Sequence, residues 1–145
     1  MNNDLGRRLT DRLPQLQDLF TCHANVLAVF LFGSQVDGYA TSHSDIDLAV
    51  LYEQAPSLKE ELALGVAVSE SLGTERVDLV NLNRAKLLLR HRAICGRVLY
   101  ERDADRMSDF IEFTLRRYVD YAPRLEAYYR DYDQALEEAY GLRPG

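Results

Sequence analysis

Seven apolar residues in succession, Val26-Leu27-Ala28-Val29-Phe30-Leu31-Phe32, constrain this chain more than any other stretch. The run is far short of the ~20 residues a membrane span needs, so it reads as a buried strand. A chain of 145 residues fits one domain, large enough to remove somewhat under ~70% of its surface from water. Apolar residues make up 47% and charged residues 28%, as in an ordinary globular protein.

Other elements follow from periodicity. Leu5, Leu9, Leu13, Leu16 and Phe20 recur every three or four residues, an amphipathic helix stripe. Pro14 lacks an N–H and clashes with the preceding turn, so the helix is expected to start near Thr10 or Asp11. Ile46 to Tyr52 reads as a second strand. Pro56-Ser57 opens a helix from about Leu58 to Leu72, closed by Gly73. Arg76 to Asn81 alternates as a third strand. Asn83 is placed to cap a helix running to about Cys95, and Arg97 to Glu101 is a short fourth strand. Met107, Phe110, Ile111, Leu115 and Tyr118 mark another helix, interrupted by Pro123. Leu125, Tyr128, Tyr129, Tyr132, Leu136 and Tyr140 mark a last one. The alternation implies an α/β (α+β) fold, a small mixed sheet flanked by helices. Residues 1–102 hold the sheet, and 103–145 form a helical C-terminal extension of the same domain.

The chemistry concentrates after the first strand. Phe32-Gly33-Ser34 is followed by ten residues and then Asp45-Ile46-Asp47-Leu48-Ala49-Val50. Strand side chains alternate, so Asp45 and Asp47 share one face while Ile46, Leu48 and Val50 pack on the other. Adjacent carboxylates repel, and a divalent cation such as Mg²⁺ or Mn²⁺ resolves the repulsion. Gly33 lets backbone approach a ligand closely. Free N–H groups after a strand make a phosphate cradle; Ser34 adds a hydroxyl, and Gly38 allows a second bend. Asp78, between Val77 and Leu79, is a third acid, either metal ligand or general base if its strand neighbours the second. Each has a blander reading: strand-edge acids for Asp45, Asp47 and Asp78, an ordinary turn for Gly33-Ser34.

Asp and Glu number 23 against 17 Lys and Arg, a net charge of -6, which argues against a nucleic-acid substrate. Arg84, Lys86, Arg90, His91, Arg92 and Arg97 form a local basic cluster, either a solvated face or an attractor of phosphates or an acidic partner. Cys22 and Cys95 make no disulfide framework and read as small buried apolar residues. With His23, His43 and His91 they match no zinc motif. His43 reads as an exposed loop residue or a phosphate contact. Without an apolar leader, the chain reads as cytoplasmic. The C-terminal tyrosine stripe is either core or a partner-docking face.

G-S-x10-D-x-D with a later VDLV strand resembles the nucleotidyltransferase superfamily of DNA polymerase β type. The wording LFGS…SDIDLAV resembles its minimal branch, the MNT antitoxins of HEPN/MNT toxin–antitoxin pairs. The resemblance implies ATP bound with Mg²⁺, as two ions about 3.5–4 Å apart. Gly33 and Ser34 would bind the nucleotide, Asp45 and Asp47 the metal, with Asp78 as third catalytic carboxylate and metal ligand. It implies transfer of AMP to a tyrosine of a HEPN toxin, an RNase thereby silenced. Many relatives carry an Arg soon after the Gly-Ser pair, where this chain reads Gln35-Val36-Asp37-Gly38. Two other functions stay open: an antitoxin that only blocks its toxin by binding, and a nucleotidyltransferase acting on a small molecule.

Overall fold

The computed structural model describes residues 4–33 and 45–140. Along the chain run α1 (Asp4–Cys22), β1 (Val26–Phe32), β2 (Ile46–Tyr52), α2 (Leu58–Leu72), β3 (Val77–Asn81), α3 (Leu87–Ile94), β4 (Arg97–Glu101) and α4 (Ala104–Tyr140). The strands form one mixed sheet in the order β3-β2-β1-β4. β1 pairs antiparallel with β2 and with β4, while β2 pairs parallel with β3. The expected mixed sheet flanked by helices is the fold observed.

Each sheet face has its own core. On one side Val29, Leu31, Ile46, Leu48 and Val50 pack with Leu9, Leu16 and Phe20 of α1 and Leu64, Val68 and Leu72 of α2. On the other, Phe30, Phe32, Ala49 and Leu51 pack with Ala93 of α3 and Met107 of α4. The central β1 is buried along its whole length, which is why its sequence is apolar at every position.

Helix α2 has both expected ends. Ser57 accepts a hydrogen bond from the Glu60 N–H at 3.1 Å, and Gly73 takes the left-handed conformation at φ 68°. Arginines of α1 finish the far end: Arg8 donates to the Gly73 carbonyl at 2.8 Å and Arg12 to the Ser71 carbonyl at 3.0 Å. Positive charge is favourable there because the helix dipole ends negative.

Four expectations are corrected. Helix α1 does not start at Thr10: it begins at Asp4 and runs through Pro14. Pro14 is exposed, and buried Leu5, Leu9, Leu16 and Phe20 on either side hold the helix together. Pro123, also exposed, likewise sits inside one continuous helix, α4. Asn83 does not cap α3, whose N-cap is Lys86 with no side-chain cap bond. Instead its amide accepts from the Tyr52 N–H at 2.8 Å and donates to the Tyr52 carbonyl at 2.9 Å, satisfying the backbone where β2 ends. Cys22 and Cys95 are exposed free thiols, not buried ones, because each lies at a helix terminus, beyond its buried face.

Helix α4 leaves the sheet progressively. Phe110 and Ile111 pack on the second core, and Tyr118 stacks on His91 at 3.5 Å between ring centroids. Beyond it Val119 is 68% and Tyr128 63% exposed, so Tyr128 is not core. The side chains of Leu125, Tyr129, Tyr132, Leu136 and Tyr140 lie outside the described residues. Among the described residues no helix is long and apolar enough to cross a membrane.

Gly96 lets the chain entering β4 pass close to β1, since a Cβ there would collide with the Leu31 carbonyl and meet the Ala93 carbonyl at 3.1 Å. Gly96→Ala is therefore expected to destabilise the fold by about 1–3 kcal/mol, read as a lower midpoint in urea unfolding. An unchanged midpoint would mean that β4 can move aside freely.

Candidate active site

The parallel register of β2 and β3 builds the site. Ile46 is paired with Val77 and Asp47 with Asp78. Because Ile46 and Leu48 are buried in the α1–α2 core and Ala49 and Leu51 in the other, Asp47 lies on the α3 side of the sheet by alternation. Val77 and Leu79 pack against the α1–α2 core and Val80 against the other, so Asp78 shares Asp47's side. Two carboxylates thus stand opposite each other on neighbouring strands, a like-charge pair that costs stability.

One step outward the pattern changes sign. The Ile46 N–H donates to the Arg76 carbonyl at 3.0 Å, and Arg76 Nε donates to Asp45 Oδ1 at 3.2 Å. This ion pair is open to solvent, with the side chains of Arg76 and Asp45 38% and 56% exposed. The three acids therefore line up along β2 and β3, but Asp45 is turned toward Arg76. Among the described residues no group of three or more His, Cys, Asp or Glu side chains is arranged to hold a metal ion.

The charges leave a mark on Asp47. Its carboxyl is pushed above the ordinary range, first by partial burial, then by Asp78 and Asp45, while the Arg92 guanidinium pulls it back down. Arg92 thus reaches the site from α3. The rest of the basic cluster is divided: Arg90 is spent on the Leu82 and Asn83 carbonyls, at 2.9 and 2.8 Å, and Arg97 belongs to β4.

Gly33 closes the site from β1. Phe32 is paired with Asp47 across β1 and β2, and Gly33 follows at φ 77°, where L side chains are strained. A Cβ on Gly33 would fall against Asp47 Oδ2, so the backbone passes directly over that carboxylate. Ser34, Gly38 and His43 lie outside the described residues. A cleft of about 840 Å³ sits elsewhere, between α2 and β3, lined by Leu62, Val66, Val77 and Leu79 and by none of the three acids. Arg76 is the residue that sequence pattern does not single out. The signal that could find it is register, since R-x-D entering β3 runs alongside D-x-D entering β2.

The family described as Polymerase beta, Nucleotidyltransferase matches residues 14–105. Protein adenylyltransferase MntA of Aphanizomenon flos-aquae (strain 2012/KM1/D3) is 29% identical over 117 residues, 74% of this chain and 71% of that protein. A tri-AMPylated Shewanella oneidensis HEPN toxin in complex with MNT antitoxin contains a chain that aligns with a TM-score of 0.65 and 22% identity. The alignment spans 84% of this chain and 96% of the matched one. A toxin–antitoxin structure with AMP-PNP aligns equally well, with a TM-score of 0.65 and 23% identity over 83% and 95% of the two chains. At those identities the likeness is one of fold.

Two variants test the geometry in metal-free protein. A carboxyl raised on folding weakens stability once the pH exceeds its unfolded value, so full stability is present below that value and is lost as the pH rises through the folded one. Asp47→Asn should therefore raise Tm at pH 7, and the gain should vanish below about pH 4; a lower Tm at pH 7 would contradict the repulsion. Gly33→Ala should lower stability by more than about 1 kcal/mol; no loss in denaturant unfolding would mean the turn tolerates a side chain.

Proposed function

We infer the function from one premise: this chain belongs to the Polymerase beta nucleotidyltransferase family. The proposed reaction is transfer of AMP from ATP to a tyrosine hydroxyl of a cognate HEPN toxin, which silences the toxin and makes this protein its antitoxin. One observation carries the reading: Asp47 and Asp78 stand side by side beneath the positive-φ turn at Gly33. The relatives support the choice of substrates, being a protein adenylyltransferase, a complex with a tri-AMPylated HEPN toxin, and a complex with AMP-PNP.

The donor set fits Mg²⁺. Asp45, Asp47 and Asp78 offer hard carboxylate oxygens, and the repulsion that raises Asp47 is the kind a divalent cation relieves. These three residues would hold it, and when bound it neutralises phosphate charge and acidifies the acceptor hydroxyl. The other roles belong to the chain itself. Gly33 lets the triphosphate approach the backbone, and Ser34 donates its hydroxyl to a phosphate oxygen. Asp78, exposed, takes the proton of the incoming tyrosine, whose ordinary pKa is near 10. The tyrosine oxygen bonds to the α-phosphorus, the bond from that phosphorus to the β-phosphate oxygen breaks, and pyrophosphate leaves. Arg92 adds positive charge beside the acids. Because the reaction consumes ATP, the proposed setting is the cytoplasm.

Blocking by binding alone is the second reading, and the exposed Val119 and Tyr128 of α4 favour a docking role for that helix. Labelled ATP separates the two readings. With Mg²⁺ and a cognate HEPN toxin, wild type should label the toxin. Asp45→Asn and Asp47→Asn should bind it and transfer at least roughly a hundredfold less label. Full labelling by either variant would remove these acids from catalysis, and protection of cells by both without any label would promote blocking.

A further inference from the structure

Four charged side chains form a two-by-two array on one sheet face. Asp45 and Asp47 come from the β2 edge of it, Arg76 and Asp78 from the β3 edge. The inner pair, Asp47 with Asp78, is like-charged and in direct register; the outer pair, Asp45 with Arg76, is opposite-charged and bonded at 3.2 Å. The proposed reaction gives Arg76 no part, yet it is tied to one of the three acids by its side chain and to the start of β2 by its backbone.

We propose that Arg76 is a positioning residue that occupies Asp45 while the carboxylate site is empty and yields it to an arriving divalent cation. The proposal rests on the metal role given above to Asp45, Asp47 and Asp78. Three features favour exchange over a fixed tie. The pair is exposed on both sides, and ion pairs so exposed are weak and salt-screened. A divalent cation brings twice the charge of a guanidinium and can bridge several carboxylates at once. Among the described residues, moreover, the three acids do not form a metal-holding group, and Asp45 is bonded to Arg76 instead. The consequence is a built-in competitor. Arg76 keeps the empty site from carrying three unpaired acids, and by the same charge it lowers the affinity for free cation.

Mn²⁺ binding to the nucleotide-free full chain, followed by the EPR signal of free Mn²⁺, tests this without reference to activity. Arg76→Gln should bind Mn²⁺ roughly three- to tenfold more tightly than wild type, and Arg76→Lys, which keeps the charge, should stay near wild type. Equal or weaker binding by Arg76→Gln would overturn the role of Arg76 alone. Wild type that takes up no Mn²⁺, with or without AMP-PNP, would instead overturn the carboxylate assignment and this proposal with it. A second measurement needs no variant. In ¹⁵N-labelled wild type, the Arg76 Nε–H signal should shift as Mg²⁺ saturates the site, and a signal that stays in place at saturation would overturn the exchange.

Discussion

The like-charged pair of Asp47 and Asp78 is the constraint around which the rest of the structure is arranged. Two carboxylates opposite each other on neighbouring strands repel, and the Arg92 guanidinium offsets this at Asp47 only in part. Their positions hold because the strands cannot slip. Ile46, Leu48 and Val50 are locked into the α1–α2 core, and Ala49 and Leu51 into the opposite one. A one-residue shift of β2 would move every one of these side chains to the wrong face. Strand burial on both sides thus does more than stabilise the domain. It holds two acids at a spacing they would not choose, the spacing that the proposed reaction uses.

Much of this was legible in the sequence, and the failures have physical causes. β1, β2, β4 and helix α2 fall where the apolar runs and caps place them, because period and capping are local properties. Pro14 and Pro123 misled because each sits on an exposed helix face, where tertiary packing outweighs a local rule. Asn83 misled because a buried strand end competes for the same amide that could cap a helix. At the site, the shared face of Asp45 and Asp47 follows from alternation alone. Arg76 could not be found that way: its relation to Asp45 is a matter of strand register, and parallel register is not written in either strand.

The electrostatics give the site a direction. Acids lie toward β2 and β3, and Arg92 approaches from α3, so negative and positive charge meet at Asp47. That polarity suits a cation bound to a polyphosphate better than it suits either ion alone. The overall charge of -6 then works against non-specific binding of nucleic acid, while α4, exposed at Val119 and Tyr128, presents a surface well removed from the acids in sequence.

The central claim is that these acids perform chemistry on a partner protein, and intact-mass spectrometry of that partner is its most direct test. A catalyst turns over, whereas a blocker is consumed one for one. The HEPN toxin, incubated with ATP, Mg²⁺ and a substoichiometric amount of this protein, should become heavier by one or more whole AMP units in nearly every molecule. A toxin of unchanged mass, under conditions where the two proteins form a stable complex, would contradict the account.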